Sequence, residues 1–330
     1  MAQSEEAGGD FAALTATANS LQQAIETVIE GKPEVVRATL TVLFAGGHLL
    51  IEDVPGVGKT MLAKTLARSI DGTVRRIQFT PDLLPSDVTG VSVFNQDTRR
   101  FEFRPGGVFA NVVVGDEINR ASPKTQSALL ECMEEHQVTV DTTTYQLDDP
   151  FMVIATQNPI EMEGTYPLPE AQRDRFMARL SIGYPVPSAE RQMLDAHTGE
   201  NPLDAVEPVT TAGDIAKLIA VVRGVFVSPA IQRYVIELIS ATRRSPDLRL
   251  GASPRASLHL VRAAKAWASL EQRDYVVPDD VQRLVRPVLA HRLLLTPEAA
   301  MGGRRAEQVL DSIVAAVPVP KSGADADRGR

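Results

Sequence analysis

Hydrophobic positions divide the chain into two regions of different pattern. As far as about residue 187, short apolar runs alternate with amphipathic helical stretches; the runs are HLLIE, VRRIQF, NVVVGDE, FMVIATQN and ARLSIGY. Short, nearly continuous apolar runs separated by helices are typical of a mostly parallel sheet covered on both faces. We therefore predict an α/β domain over residues 11–187.

From residue 188 onward the pattern is helical. Apolar side chains recur at helical spacing in Ile231–Ile239, Leu260–Ala268 and Val281–Leu289, which is typical of a helical-bundle core. Ser228-Pro229 and Ser253-Pro254 each place an N-cap serine before a first-turn proline, so two helices are expected to start there. The sequence predicts a second, α-helical domain over residues 188–320.

Two further stretches alternate polar and apolar residues with period two. Gly90–Phe103 and Gln137–Leu147 are predicted to be β-hairpins added to the α/β domain. The two ends, residues 1–10 and 321–330, are rich in small, polar and charged residues, and we expect them to be disordered tails.

Charge and composition narrow the class of partner. The net charge is −8, whereas a protein that binds phosphate backbones usually carries a positive net charge, so the charge argues against nucleic acid as the principal partner. Cys132 is the one cysteine, which excludes a disulfide framework and favours a buried thiol. The first residues lack the basic stretch and the apolar stretch of a secretory signal peptide, and the sequence has no apolar run of membrane-spanning length. These observations favour a cytoplasmic protein without a membrane partner.

The stretch EDVPGVGKT, Glu52–Thr60, is an imperfect match to a phosphate-binding loop. The general pattern G-x-x-x-x-G-K-[ST] asks for glycine at position 53, where this chain has Asp53. A strand-like run precedes the stretch and an amphipathic helical run follows it. Backbone N–H groups and a helix dipole converge on an anion in that setting, so the phosphate-loop interpretation is favoured over a tight turn with a surface lysine.

Each residue type in the loop suits that role. Gly56 and Gly58 allow close backbone approach, Lys59 would reach the outer phosphates, and the Thr60 hydroxyl would bind Mg²⁺. The predicted nucleotide-binding set in the loop is Pro55, Gly56, Val57, Gly58, Lys59, Thr60 and Met61.

Polar residues also follow two of the predicted buried strands. Asp116 and Glu117 end the run VVVGDE, and in open α/β sheets the ligand crevice lies beyond such strand ends. Adjacent carboxylates there would allow one to hold Mg²⁺ and the other to orient and deprotonate water. Alone, this pair is more often a solvated strand end, but downstream of a Gly-Lys-Thr loop it becomes specific. Asn158 ends FMVIATQN, where its amide could contact phosphate and water, although asparagine before proline is also a common turn.

Taken together, four long blocks strongly resemble the MoxR family of AAA+ ATPases: EDVPGVGKT, VVVGDEINRASPKTQSALLECMEEHQVTV, FMVIATQNPIEMEGTYPLPEAQRDRF and GASPR. The resemblance runs from about residue 11 to about residue 318. MoxR-like proteins carry Asp-Val-Pro-Gly at this loop, so Asp53 is a variant shared with that family.

The resemblance implies a sheet of order 5-1-4-3-2 with an α-helical lid, and ring assembly, typically hexameric, with active sites between subunits. By resemblance Lys59 and Thr60 form Walker A, and Asp116 and Glu117 form Walker B. The resemblance implies that Thr60 and Asp116 hold Mg²⁺ and that Glu117 polarises the water. The two hairpins match the helix-2 insert and the pre-sensor 1 hairpin of that family.

The resemblance also assigns roles to residues outside the loop. Asn158 resembles sensor 1, Arg175 the arginine finger and Arg255 the sensor 2 residue. Many relatives have leucine at the position of Arg173, so either arginine of QRDRF could act on a neighbouring subunit, and we favour Arg175. The segment VIEGKPEVV aligns with the adenine side of the family's site, which implies base contacts by Ile29 and Gly31.

The function implied is Mg²⁺-dependent hydrolysis of ATP to ADP and phosphate, driving chaperone-like maturation of protein clients together with von Willebrand factor A domain partners. One alternative is a chelatase-like subunit or a nucleic-acid motor subunit. The acidic composition disfavours a motor that acts on DNA but does not exclude the chelatase-like role. A second is an ATP-gated scaffold with little turnover, which the presence of Asp116, Glu117 and Arg175 disfavours.

Overall fold

The computed structural model describes residues 2–54, 56–158, 165–185, 190–191 and 202–320 of the 330-residue chain, with side chains of the first helix from residue 11. The predicted domain boundary at 187/188 and the predicted tail at 321–330 lie outside these residues.

A five-stranded parallel sheet forms the centre of the first domain. Its strands are β1 (Leu49–Glu52), β2 (Val74–Gln78), β5 (Val112–Asp116), β8 (Met152–Gln157) and β9 (Ala178–Leu180). They lie in the order β2-β5-β8-β1-β9, with every pairing parallel. Numbered as five core strands, the order read from the far edge is 5-1-4-3-2. The predicted fold class and strand order are confirmed.

The sheet is buried on both faces, which explains its nearly unbroken apolar runs. Val112 and Val114 belong to one hydrophobic cluster with the inner strands, and Val113 belongs to the cluster on the opposite face. Successive side chains of a strand point to opposite faces, so a run such as VVV supplies both cores.

Helices of the first domain precede and connect these strands. They are α1 (Ala2–Glu26), α2 (Pro33–Phe44), α3 (Lys59–Ser69), α4 (Pro85–Thr89), α5 (Pro123–Glu135) and α6 (Glu170–Arg173). A 3-10 turn, Ile118–Arg120, follows β5. Ser122 caps α5 by accepting a hydrogen bond from the Thr125 amide at 3.4 Å.

Helix α1 differs from the prediction of a disordered tail over residues 1–10, because the helix begins at Ala2. Ala2, Gln3, Glu5 and Glu6 have high helix propensity, and the helix continues without a break into a face whose apolar residues, such as Leu14 and Leu21, are fully buried. Packing of that later face stabilises the helix to which the first turns belong.

The C-terminal region is helical, as predicted. It contains α7 (Ala212–Arg223), α8 (Pro229–Arg244), α9 (Pro254–Leu270), α10 (Pro278–Leu289), α11 (Pro297–Met301) and α12 (Ala306–Ala316), two 3-10 turns (Pro202–Ala205 and Ala290–Arg292), and a small pair of strands, β10 (Leu248–Leu250) and β11 (Leu294–Leu295). Ser228 and Ser253 are N-caps, accepting hydrogen bonds from Ile231 and Ala256 amides. Arg37 of α2 pairs with Glu271 at 2.6 Å, joining this region to the first domain.

Both predicted hairpins are present. Strands β3 (Gly90–Asn95) and β4 (Arg100–Pro105) pair antiparallel, as do β6 (Gln137–Val140) and β7 (Thr143–Gln146). The Phe103 ring of the first hairpin stacks on Tyr145 of the second, with centroids 3.9 Å apart. Within the described residues no helix is both long and apolar enough to cross a membrane.

Candidate active site

The loop between β1 and α3 has the backbone that its glycines predict. Gly56 has φ +82° and Gly58, the N-cap of α3, has φ +89°, a region that favours glycine. A Cβ placed on Gly56 would meet no atom within 4 Å, so the loop faces open space there. Val57 and Met61 pack against the core beneath, while Pro55 lies outside the described residues. The loop is therefore anchored below and open above, as a phosphate cradle requires.

Asp53 fastens the entrance of this loop to the segment that follows β9. Its carboxylate accepts hydrogen bonds from the Gly183 amide at 2.6 Å, the Ser181 hydroxyl at 3.0 Å and the Val54 amide at 2.9 Å. Burial alone would raise the pKa of Asp53, but these hydrogen bonds outweigh burial and lower the pKa below its ordinary value. The Lys59 ammonium donates to the Asp53 carbonyl at 2.8 Å. Aspartate at this position is thus a structural clamp.

Asp116 lies beside Thr60, as the predicted metal site requires. The Thr60 hydroxyl donates to Asp116 Oδ2 at 3.3 Å, and the Thr156 hydroxyl donates to Oδ1 at 3.2 Å. A hydroxyl and a carboxylate are the oxygen donors that Mg²⁺ prefers, with phosphates and water completing its shell. The residues present fit that ion. Arg76, which the sequence did not single out, also contacts Asp116, with Nε 2.5 Å from Oδ2.

Glu117 is held in one orientation at the end of β5. Its backbone is left-handed at φ +56°, and its amide donates to the Thr156 hydroxyl at 3.0 Å. Its carboxylate Oε2 accepts from Gln78 at 3.1 Å and from Arg120 at 2.8 Å. A non-glycine residue with positive φ is uncommon and marks a position fixed by its surroundings.

Two of the remaining predicted nucleotide residues, Asn158 and Ile29, lie at the same edge of the sheet as the loop. Asn158 is buried directly after β8, and the neighbouring Gln157 carbonyl accepts from the Asp53 amide at 3.2 Å. Ile29 is buried, with its Cδ1 3.9 Å from where a Cβ on Gly58 would stand. Gly31 has φ +70° in the turn between α1 and α2. The structure therefore places Asn158 and Ile29 near the loop.

Arg175 and Arg255 form a separate pair. Both bind the carboxylate of Glu134, Arg175 through Nε at 3.1 Å. Both line a cavity of about 290 Å³ that also touches Gly47 and His48. Arg173 is not among the residues that line that cavity.

This cavity lies at the amino edge of the sheet, whereas the loop lies at the carboxyl edge. His48 precedes β1 directly, its Nδ1 accepts from the Val153 amide near the start of β8, and its carbonyl accepts from the Met177 amide just before β9. Four residues of β1 at about 3.3 Å each keep the two edges about 13 Å apart. The structure does not bring Arg175 and Arg255 to the loop of the same chain.

Sequence reasoning missed the groups that orient these side chains. Arg76 and Gln78 lie two residues apart on β2, and period two on a strand next to VVVGDE is a signal that could have placed them beside Asp116. Asp174 accepts from the Ser253 hydroxyl at 2.8 Å and pairs with Arg292 at 2.8 Å, contacts that no local pattern indicates.

Comparisons with known proteins define the class first. Residues 48–178 match the family model described as ATPase family associated with various cellular activities (AAA), and residues 240–313 match the AAA lid domain. A solved structure from Cytophaga hutchinsonii, described as a candidate ATPase, superposes with a TM-score of 0.90 at 38% identity, covering 97% of this chain and 100% of that one.

Two curated relatives carry the comparison further. The chain is 52% identical to YeaC of Bacillus subtilis (strain 168) over 296 residues, covering 90% of this chain and 92% of that protein. It is 41% identical to Chaperone MoxR1 of Mycobacterium tuberculosis (strain ATCC 25618 / H37Rv), covering 97% of this chain and 88% of the relative. The chain therefore belongs to the MoxR family of AAA+ ATPases.

Proposed function

We propose that this protein hydrolyses ATP to ADP and phosphate in a Mg²⁺-dependent reaction. One observation carries the proposal: a glycine loop with left-handed backbone, the Thr60–Asp116 pair and Glu117 converge at the carboxyl edge of one parallel sheet. Membership of the AAA ATPase family supports the same activity.

The chain's own residues divide the work. The loop amides and the Lys59 ammonium bind the phosphates, and Thr60 with Asp116 would hold Mg²⁺, which supplies positive charge to the polyphosphate. Glu117 orients the attacking water and accepts its proton, with Gln78 fixing the carboxylate. Asn158 donates from its amide toward the terminal phosphate. Asp53 keeps the loop entrance at the correct distance from these groups.

We further propose that the site is completed by a neighbouring copy of the chain, in a ring that is most simply hexameric. Support comes from the position of Arg175 and Arg255 at the amino edge, away from the loop of their own chain. A head-to-tail interface joins two different surfaces of the chain, and a ring in which the carboxyl edge of one chain meets the amino edge of the next would bring these arginines to the neighbour's loop. An arginine supplied in this way contributes about 10³–10⁵ to kcat in related reactions.

The test of hydrolysis is Glu117→Gln, measured by phosphate release and by binding of a fluorescent ATP analogue. The variant keeps the side-chain shape but cannot accept the proton, so ATP binding should persist and turnover should fall by about 10²–10⁴-fold. Glu237→Gln, an exposed glutamate on α8, is the control with the same charge change and should turn over normally. Turnover near the control's rate in Glu117→Gln would refute the assignment of the base.

We propose that hydrolysis drives chaperone-like remodelling of protein clients, with a von Willebrand factor A domain protein as partner. The relative in M. tuberculosis is named a chaperone, and the two hairpins joined by Phe103 and Tyr145 offer a client-facing element. Affinity capture with Glu117→Gln should retain clients only when ATP is present. The same set of proteins recovered without ATP would contradict an ATP-driven client cycle.

A further inference from the structure

Arg76 contacts the Asp116 carboxylate, which is proposed to hold Mg²⁺. Its Nε lies 2.5 Å from Asp116 Oδ2, and that oxygen also accepts the Thr60 hydroxyl at 3.3 Å. Thr60 and Asp116 are the residues proposed to hold Mg²⁺. A guanidinium and a divalent cation are both attracted to Asp116 Oδ2 and repel each other there.

The same guanidinium reaches toward the base. Arg76 donates through its terminal nitrogen to Gln78 Oε1 at 2.8 Å, and Gln78 Nε2 donates to Glu117 Oε2 at 3.1 Å. The register of β2 on β5 sets Gln78 beside Asp116, and side chains two apart on a strand share a face. A continuous set of hydrogen bonds therefore runs from Asp116 through Arg76 and Gln78 to Glu117.

Burial separates the two partners of the ion pair. The Asp116 side chain is 9% exposed and that of Arg76 is 54% exposed. A buried carboxylate without a counter-charge is destabilising. An exposed arginine on an edge strand is already largely hydrated, so moving away from its partner costs it little. Moving the Arg76 guanidinium into solvent therefore costs less desolvation than moving the Asp116 carboxylate would.

We propose that Arg76 is a positioning residue that competes with the divalent cation for Asp116. Entry of the metal requires the guanidinium to leave Oδ2, and its departure also withdraws it from Gln78, which holds Glu117. Metal binding and the freedom of the catalytic base are coupled through one arginine. This inference rests on the proposed ATPase function.

The test measures how much Mg²⁺ strengthens nucleotide binding. A fluorescent, non-hydrolysable ATP analogue is titrated onto the purified full-length chain in EDTA and in excess Mg²⁺, and the ratio of the two Kd values is the metal enhancement. Arg76→Gln removes the competitor, so the enhancement should rise by about 2–5-fold, the range for a half-exposed ion pair. Arg76→Lys, which keeps the charge, should stay closer to the wild-type ratio.

Arg75→Gln is the matched control. Arg75 is the exposed neighbour on β2, its side chain points to the other face, and its replacement changes net charge equally. Its enhancement should equal that of the wild type. An unchanged or lower metal enhancement in Arg76→Gln, or an equal rise in Arg75→Gln, would overturn the proposal that Arg76 competes with the metal for Asp116.

The proposed function fails in a different way. If the wild-type chain binds the analogue equally well with and without Mg²⁺, or if Asp116→Asn keeps the full enhancement, then the metal site itself is wrong. A wild-type enhancement that Asp116→Asn removes and Arg76→Gln leaves unchanged rejects only the role of Arg76.

Discussion

Asp53 offers the sharpest perturbation of the loop, because its side chain is buried and its partners are defined. The Asp53→Asn change keeps the shape but replaces one carboxylate oxygen by an NH₂ group. One oxygen serves the Val54 amide and the other serves Gly183 and Ser181, so in either orientation the new NH₂ group faces a backbone N–H. The variant therefore loses a charge-assisted hydrogen bond and gains a donor–donor contact.

The size of the expected loss of stability follows from those contacts. A hydrogen bond to a charged group contributes about 1.5–3 kcal/mol, and a buried donor left without an acceptor costs about 1–3 kcal/mol. Asp53 is 8% exposed, so water compensates little. The two ranges describe the same lost interaction and are not summed, so we expect Asp53→Asn to lower the free energy of unfolding by about 2 kcal/mol. Nucleotide affinity should fall as well, since the Asp53 carbonyl also accepts from Lys59.

Urea unfolding and analogue binding measure the two effects. Asp82→Asn, on an exposed residue in the loop after β2, is the control and should change neither. Because the folded-state pKa of Asp53 is lowered, its contribution is present above the unfolded pKa and is lost as pH falls through the folded pKa. The difference between wild type and Asp53→Asn should therefore shrink below about pH 4. A difference no larger than that of Asp82→Asn at pH 7 would refute the clamp.

Three further outcomes are expected. His48 accepts a hydrogen bond from the Val153 amide at Nδ1, and burial lowers the pKa of His48 to about 3. The free energy of unfolding should therefore decline as pH falls below the pKa of His48 in the unfolded chain, by about 1.4 kcal/mol at pH 5.5. His48→Gln should flatten that decline in urea titrations. Gly58→Ala should cost about 1–2 kcal/mol of unfolding free energy through its left-handed backbone, whereas Gly213→Ala should cost nothing. Burial raises the pKa of Cys132 to about 12, so a maleimide should label it at pH 8 only after denaturation; rapid labelling of the folded chain would contradict its burial.

Local sequence pattern predicted those elements whose apolar runs and turn residues lie within a few residues of one another. The strand before Glu52, the helix from Lys59 and the pair Asp116 and Glu117 follow from apolar runs and turn residues in one short stretch. The strand order came from the family resemblance, since periodicity alone does not order strands. The first turns of α1 were missed because their composition resembles a tail, while their stability comes from the buried face that follows.

Contacts between residues far apart in the sequence could not be predicted from local pattern. Ser181 and Gly183 lie 128 and 130 residues from Asp53, so the clamp depends on β9 pairing beside β1. The sharing of Glu134 by Arg175 and Arg255 depends on where the C-terminal helices pack against α5. Roles for these arginines could be inferred from resemblance, but their placement at the opposite edge of the sheet required the structure.

The central claim is that each active site combines the loop of one chain with the arginines of its neighbour. Mixing Glu117→Gln and Arg175→Ala chains, each nearly inactive alone, tests it most directly. Random mixing at equal concentration makes about one interface in four complete, so ATPase activity should recover to about a quarter of the wild-type rate. Mixed assemblies that form but show no activity beyond the sum of the two variants would contradict a shared site.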